Sequence, residues 1–260
     1  MAASDWFGRK VLRRVLGVLF CLVQSVAGAA ELPLVRAVTS EFPPYNFTYN
    51  GDLTGVSVAV VRALLAEAGM GDVAIENMPW ARAYQVAKAS PNILIFSITR
   101  TPDRETMFKW IGTIAPVDYS FFAPKKSGLN LARAEDARQL RVATTTGDVV
   151  DQLFKRLEFP HVQTVGGQTA YDQNVRKLLA GRVDVWGVAT LPAIHFLESA
   201  DLRGEIVRVG AIRELDSEGM YVAFGSQTAD KVVVHFRRAL ERVKQRGVDR
   251  EALQRFLSSP

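Results

Sequence analysis

Short apolar runs and amphipathic stripes take turns along the chain. Leu34 to Val38, Val73 to Glu76 and Ile93 to Phe96 read as strands, the last as a buried one. Between them, Val60, Val61, Leu64 and Leu65 form the buried stripe of a helix over Ser57–Ala68 that Gly69 ends. Pro79 opens a second helix, which carries Trp80, Arg82 and Tyr84. Tyr119 to Pro124 is a strand, and Lys125 to Gly128 a surface turn. The alternation then restarts. Strands are predicted over Leu140–Thr144, Val162–Val165, Val183–Ala189 and Ile206–Val209, with helices over Val149–Leu157 and Ala170–Ala180. Met220 to Phe224 is a last strand. Lys231 to Arg246 is a helix with Val232, Val233, Phe236, Leu240 and Val243 on one side, and Arg250 to Leu257 a final one. Strands alternating with helices predict an α/β fold of mainly parallel sheets with helices on both faces.

Polar positions interrupt this pattern at two places with chemical meaning. The run Ile93 to Phe96 ends in hydroxyls at Ser97, Thr99 and Thr101, then Pro102, then Arg104. An arginine there can offer a small carboxylate two parallel charge-assisted hydrogen bonds, with hydroxyls filling the remaining lone pairs. The alternative is a surface turn whose arginine pairs with Asp103 or Glu105. The second place is Thr145-Thr146-Gly147-Asp148, a turn into a helix whose N-terminus presents free N–H groups. Asp148 reads most simply as its N-cap. Trp80 and Tyr84, four apart, share a helix face that either packs in the core or walls a cleft. Phe42 lies before Pro43 and Pro44, which hold an extended loop through Phe47. Asn50-Gly51 is a turn.

Charge and composition refine the picture mainly at the N-terminus. Arg9, Lys10, Arg13 and Arg14 precede an apolar run from Val15 to Val26 and the small residues Ala27 to Ala30. That order predicts a signal peptide, cleaved after Ala29 or Ala30, and hence a periplasmic location. The run is shorter than the ~20 residues that a spanning helix needs. Cleavage removes four basic residues and one acid, so the net charge falls from +5 to +2, and no footprint for nucleic acid remains. The one cysteine, Cys21, leaves too, and a cysteine-free chain suits an oxidising compartment. His161, His195 and His235 are scattered unlike a metal site, and no cofactor-binding or nucleophile motif is present.

Several motifs together resemble the bacterial extracellular solute-binding proteins of family 3, the amino-acid-binding components of ABC importers. Thr99-Arg100-Thr101-Pro102-Asp103-Arg104 is similar to the family's T-x-T-P-E-R signature, and Leu178 to Val185 to its L-x-x-G-R-x-D-A motif. Leu53 to Val58 is similar to its G-x-x-x-G-F-D-V start of the first helix, and Ile114 to Tyr119 to its F-S-x-P-Y segment. The resemblance runs from about Leu34 to Phe256. It implies two α/β lobes joined by two crossover strands, closing on a ligand: residues 31–120 and 219–260 in one, 121–218 in the other. It implies that Arg104 grips the ligand's carboxylate and that Phe42 stacks on the ligand; Ser97 and Thr99 are the hydroxyls placed beside that carboxylate, and Trp80 is placed on the cleft wall because its helix starts at the carboxyl end of a strand. Gly147 matches the family's G-T-T turn, while Asp148 and Val149 replace its threonines. Ala189 stands where an acid often holds the ligand's ammonium, and Trp186 and Thr190 are placed to reshape that end. Asp184 belongs to the fold. The implied partner is a membrane permease, and the implied state a monomer. Two rival functions share the fold: a module sensed by a membrane kinase, and a dehydratase of prephenate-like acids with Asp148 and Glu41 as candidate acid or base.

Overall fold

A computed structural model describes residues 32–257 apart from 168 and 216. The segment read as a signal peptide, with Cys21, lies outside the described residues. The chain begins with β1 (Arg36–Thr39), a small hairpin of β2 (Phe47–Tyr49) and β3 (Asp52–Thr54), then α1 (Val56–Glu67). Next come β4 (Ile75–Asn77), α2 (Trp80–Ala89), β5 (Ile93–Thr99) and β6 (Phe108–Ala115). A second run follows: β7 (Tyr119–Pro124), β8 (Val142–Thr145), α3 (Val149–Arg156), β9 (Val162–Val165), α4 (Ala170–Leu179), β10 (Val185–Ala189), α5 (Thr190–Ser199) and β11 (Ile206–Ala211). The chain then closes with β12 (Met220–Gly225), α6 (Asp230–Gln245) and α7 (Val248–Leu257).

The strands form two five-stranded sheets, ordered β4-β1-β5-β12-β6 and β11-β7-β10-β8-β9. Each is the floor of one lobe, and the chain passes between them twice, after β6 and before β12. The sheets are mixed rather than mainly parallel. β1 pairs parallel with β4 and β5, and β8 with β9 and β10, where a helix carries the chain back across the sheet. β12 runs antiparallel to β5 and β6, and β7 to β10 and β11. These strands lie next to the crossings, and an antiparallel neighbour needs no helical return.

Helices cover both faces of the first sheet. α2 supplies Ala83 and Ala87 to a cluster with Ile93, Ile95, Ile98, Trp110 and Tyr221. α6 turns Val232, Val233, Phe236, Leu240 and Val243 inward as its periodicity predicts, and Phe236 meets Phe224 edge-on at 5.0 Å. Each such side chain contributes roughly 1.5–3 kcal/mol when fully buried. In the second lobe Phe154 stacks between Phe121 and Phe159. Asp184 belongs to the fold: it accepts from the Arg141 backbone N–H at 2.8 Å and pairs with the Arg141 guanidinium. Pro79 precedes α2 as its N-cap, in extended conformation, instead of sitting in its first turn.

Candidate functional site

The parallel strands of both sheets end around one cavity of about 110 Å³. From the first lobe come Ser40, Glu41 and Phe42 after β1, Trp80 at the start of α2, Ser97 and Thr99 at the end of β5, and Arg104 just beyond. From the second come Thr145, Asp148 and Val149 after β8, Ala170 and Tyr171 at the start of α4, and Ala189 at the end of β10. Tyr119 enters because β7 pairs antiparallel with β10, which sets Tyr119 opposite Ala189. Open α/β sheets gather their ligands at these carboxyl ends.

Arg104 is the buried charge of the site, 2% exposed. A single 3-10 turn, Pro102–Arg104, carries it back under β5, where its Nη1 donates to the Thr99 carbonyl at 3.0 Å. Its Nε and Nη2 are buried with no hydrogen-bond partner. The guanidinium carbon lies 5.6 Å from the Trp80 ring and 5.3 Å from the Tyr84 ring, both inside cation–π range. Neither neighbouring acid neutralises it, which rules out the surface-turn alternative. Glu105 pairs with Arg100 at 2.6 Å and Asp103 with Arg156 at 2.6 Å. Burial pushes the guanidinium's pKa down. A buried cation with two orphan donors is costly until an anion joins it.

The hydroxyls at the end of β5 are arranged by a bulge. Ser97 has φ 56, and the register against β12 slips by one residue there. The extra residue flips the alternation, so Ile98 joins Ile93 and Ile95 in one cluster. The Ser97 hydroxyl donates to Asn46 Oδ1, and Thr99 Oγ1 bonds the Tyr119 hydroxyl. Asn46 in turn donates to the Ser40 carbonyl, tying the loop that carries Phe42 to β5. That loop is also clamped onto the start of α1, where the Val56 and Ser57 N–H groups bond the Pro44 and Tyr45 carbonyls at 3.1 and 2.8 Å. Gly55 makes this approach possible. It has φ 123, and a Cβ there would lie 2.3 Å from the Tyr45 oxygen. Phe42 stacks on Tyr45 and packs against the core of the opposite lobe.

The wall opposite Arg104 has the contrary polarity. Asp148 caps α3 through the Asp151 N–H at 2.8 Å, as its position predicts. The buried Asp151 accepts from the Gly147 N–H and from Lys155 Nζ, each at 2.8 Å. Gly147 does not line the cavity. Its carbonyl takes the Trp80 indole N–H at 3.1 Å, a contact between the lobes. Asp148 is half-buried with its open side on the cavity, and burial pushes its carboxyl up to about 7. Glu41 also lines the cavity, but its carboxylate accepts from the Thr48 N–H, the Thr48 hydroxyl and Asn77 Nδ2.

Bacterial extracellular solute-binding proteins, family 3, match residues 34–256 of the sequence. The chain belongs to that family. No curated protein matches it. Solved structures share the fold at low identity. A histidine kinase sensor domain with similarity to periplasmic binding proteins is 20% identical with a TM-score of 0.73, over 86% of this chain and 96% of that one. An ancestral arginine-binding protein bound to glutamine is 18% identical with a TM-score of 0.72, over 88% and 100%. The arginine-, lysine-, histidine-binding protein ArtJ from Geobacillus stearothermophilus is 15% identical with a TM-score of 0.70, over 87% and 97%.

This family 3 solute-binding protein thus brings Arg104, Thr99, Ser97, Phe42, Trp80 and Asp148 to one cavity, with Gly147 behind the wall. Trp186 does not reshape the cleft: it is wholly buried in the second lobe, edge-on to Tyr171 at 5.0 Å. Thr190 lies at the crossing, bonded to Asp118 Oδ2 and the Ser120 hydroxyl at 2.7 Å each. Tyr84 packs behind Arg104 and is not on the wall. Sequence reasoning gave Thr145 a place in the turn before α3 but no part in the cavity, and it missed Asn46 and Tyr171. The rule that ligands meet strand ends pointed to Thr145 and Tyr171, each at or just after one. Nothing local marks Asn46.

Proposed function

We propose that this solute-binding protein captures a small carboxylate-bearing ligand, an amino acid or a relative of one, between its two lobes. It breaks no bond. It is exported to the periplasm, works as a monomer and hands its ligand to the permease of an ABC importer. The lobes divide as residues 31–120 with 219–260, and 121–218. The single observation behind this reading is the buried Arg104, which lines the cavity and whose Nε and Nη2 have no hydrogen-bond partner. A ligand carboxylate supplies the two acceptors that this fork lacks. The family and its amino-acid-binding neighbours support the same class. The kinase sensor domain supports a second reading, in which a membrane kinase reads the liganded form.

Arg104→Ala tests the first claim. Calorimetry against amino acids and small carboxylates should find a ligand for the wild type and a loss on the order of 2–5 kcal/mol in the variant. Circular dichroism should be unchanged. Equal affinity would remove Arg104 from the site. Mass spectrometry of the incubated ligand should return it intact; a new product would favour the dehydratase alternative. Deleting the gene should abolish uptake of the ligand if a permease is the partner.

A further inference from the structure

We infer that the ligand carries a positively charged amine as well as its carboxylate, that Asp148 holds the amine, and that Asp148 therefore sets the ligand class. This rests on the carboxylate-capture reading of the same cavity.

The two walls present opposite charge and opposite hydrogen-bonding sense. The first lobe offers a cation with two unsatisfied donors. The second keeps the backbone N–H groups of Gly147, Asp148 and Asp151 occupied within its own turn before α3, two of them by carboxylates, and leaves the Thr145 hydroxyl without a partner. The Gly147 N–H goes to Asp151 Oδ2 at 2.8 Å, the Asp148 N–H to the Thr145 carbonyl at 3.1 Å, and the Asp151 N–H to Asp148 Oδ1 at 2.8 Å. A helix start ordinarily draws anions. Here an acid sits in front of it and reverses the sign.

Asp148 itself lacks a cationic partner among the described residues. Lys155 is engaged by Asp151, and Arg104 feels Asp148 across the cavity without an ion pair forming. The remaining acid on the wall, Glu41, already accepts three hydrogen bonds from Thr48 and Asn77 in its own lobe. Ala189 contributes only a methyl group. An ammonium entering beside the ligand carboxylate that Arg104 holds therefore meets in Asp148 the wall acid whose oxygens are less taken up by protein donors. A second carboxylate would meet that same charge and be repelled.

The test uses the mature protein, calorimetry at pH 8 and three sets of probes. The first set is the twenty amino acids with 4-aminobutyrate and 6-aminohexanoate. The second is the matching amine-free acids. The third is succinate, glutarate and adipate. An amine-bearing monocarboxylate should bind, and its amine-free counterpart should bind at least about tenfold more weakly. Asp148→Asn and Asp148→Ser both keep a helix-capping side chain. Each should shrink that ratio to about twofold or less, mostly by weakening the amine. A dicarboxylate or amine-free acid binding as tightly as any amine, or a ratio that survives in both variants, overturns the inference and leaves carboxylate capture standing. If no probe binds the wild type, or Arg104→Ala binds as well as the wild type, carboxylate capture itself falls and takes the inference with it.

Discussion

Two side chains carry opposite electrostatic debts. Arg104 is a buried cation waiting for an anion. Asp148 is an acid whose surroundings resist its ionisation: burial pushes it up to about 7, the nearby Asp151 carboxylate adds to the push, and the Asp151 N–H and Arg104 oppose it. Tyr119 and Tyr171 also face it. The unfolded chain releases this proton near ~4. Between about pH 4 and pH 7 the folded chain holds the proton and the unfolded chain does not, so Asp148 withdraws stability as pH rises through that window. Asp148→Asn should gain in melting temperature relative to the wild type as pH goes from 4 to 7, followed by thermal unfolding without ligand. A constant offset would mean that Asp148 ionises freely. Carboxylates such as Glu67 and Glu76, held low by arginine hydrogen bonds, shift both proteins alike. Of this pair, Arg104 was legible from hydroxyls, a proline and an arginine in sequence. The polarity of the Asp148 wall was legible only in part. That Asp148 caps α3 follows from its position; that Asp151 consumes the Gly147 N–H depends on a side chain folding back three dimensions away from the pattern.

At the level of elements, the site depends on how tightly a loop is held to a helix. Gly55→Ala would place a methyl group in the Tyr45 carbonyl and force a strained φ. It should cost on the order of 1–3 kcal/mol in chemical denaturation and weaken ligand binding by freeing the Phe42 loop. Full retention of both would mean that the loop does not depend on Gly55. Long periodic elements such as α1 and α6 stood out in the sequence because one face of each is continuously apolar. β6 did not, since Lys109, Gly112 and Thr113 break its alternation. α5 was hidden by Pro192, which is tolerated because it lies in the first turn, where its missing N–H has no partner. The β5 bulge was equally hidden: one extra residue leaves no mark in composition. The predominance of parallel pairing was over-read because the helix–strand alternation is silent about strands next to the crossings.

For the whole molecule, the lobes touch through a few contacts remote from one another in sequence. Trp80 reaches Gly147, Asp103 pairs with Arg156 at 2.6 Å, and Phe47 lies edge-on to His195 at 5.8 Å. The ion pair is exposed, so Arg156→Ala should weaken ligand binding by no more than ~1 kcal/mol, an effect that shrinks further in high salt. Calorimetry at two salt concentrations checks this; a larger, salt-insensitive loss would give the pair a role in holding the ligand. The two-lobe plan could be read in advance through the family's motifs, whereas these bridges could not, because each partner is ordinary within its own lobe. One of them has a practical side. Trp80 sits against the guanidinium with its indole nitrogen tied across the cleft, while Trp110 and Trp186 are sunk in separate cores. The protein therefore comes with its own fluorophore at the cavity wall, and ultraviolet emission can report without a dye whether the Trp80–Gly147 contact is kept or broken.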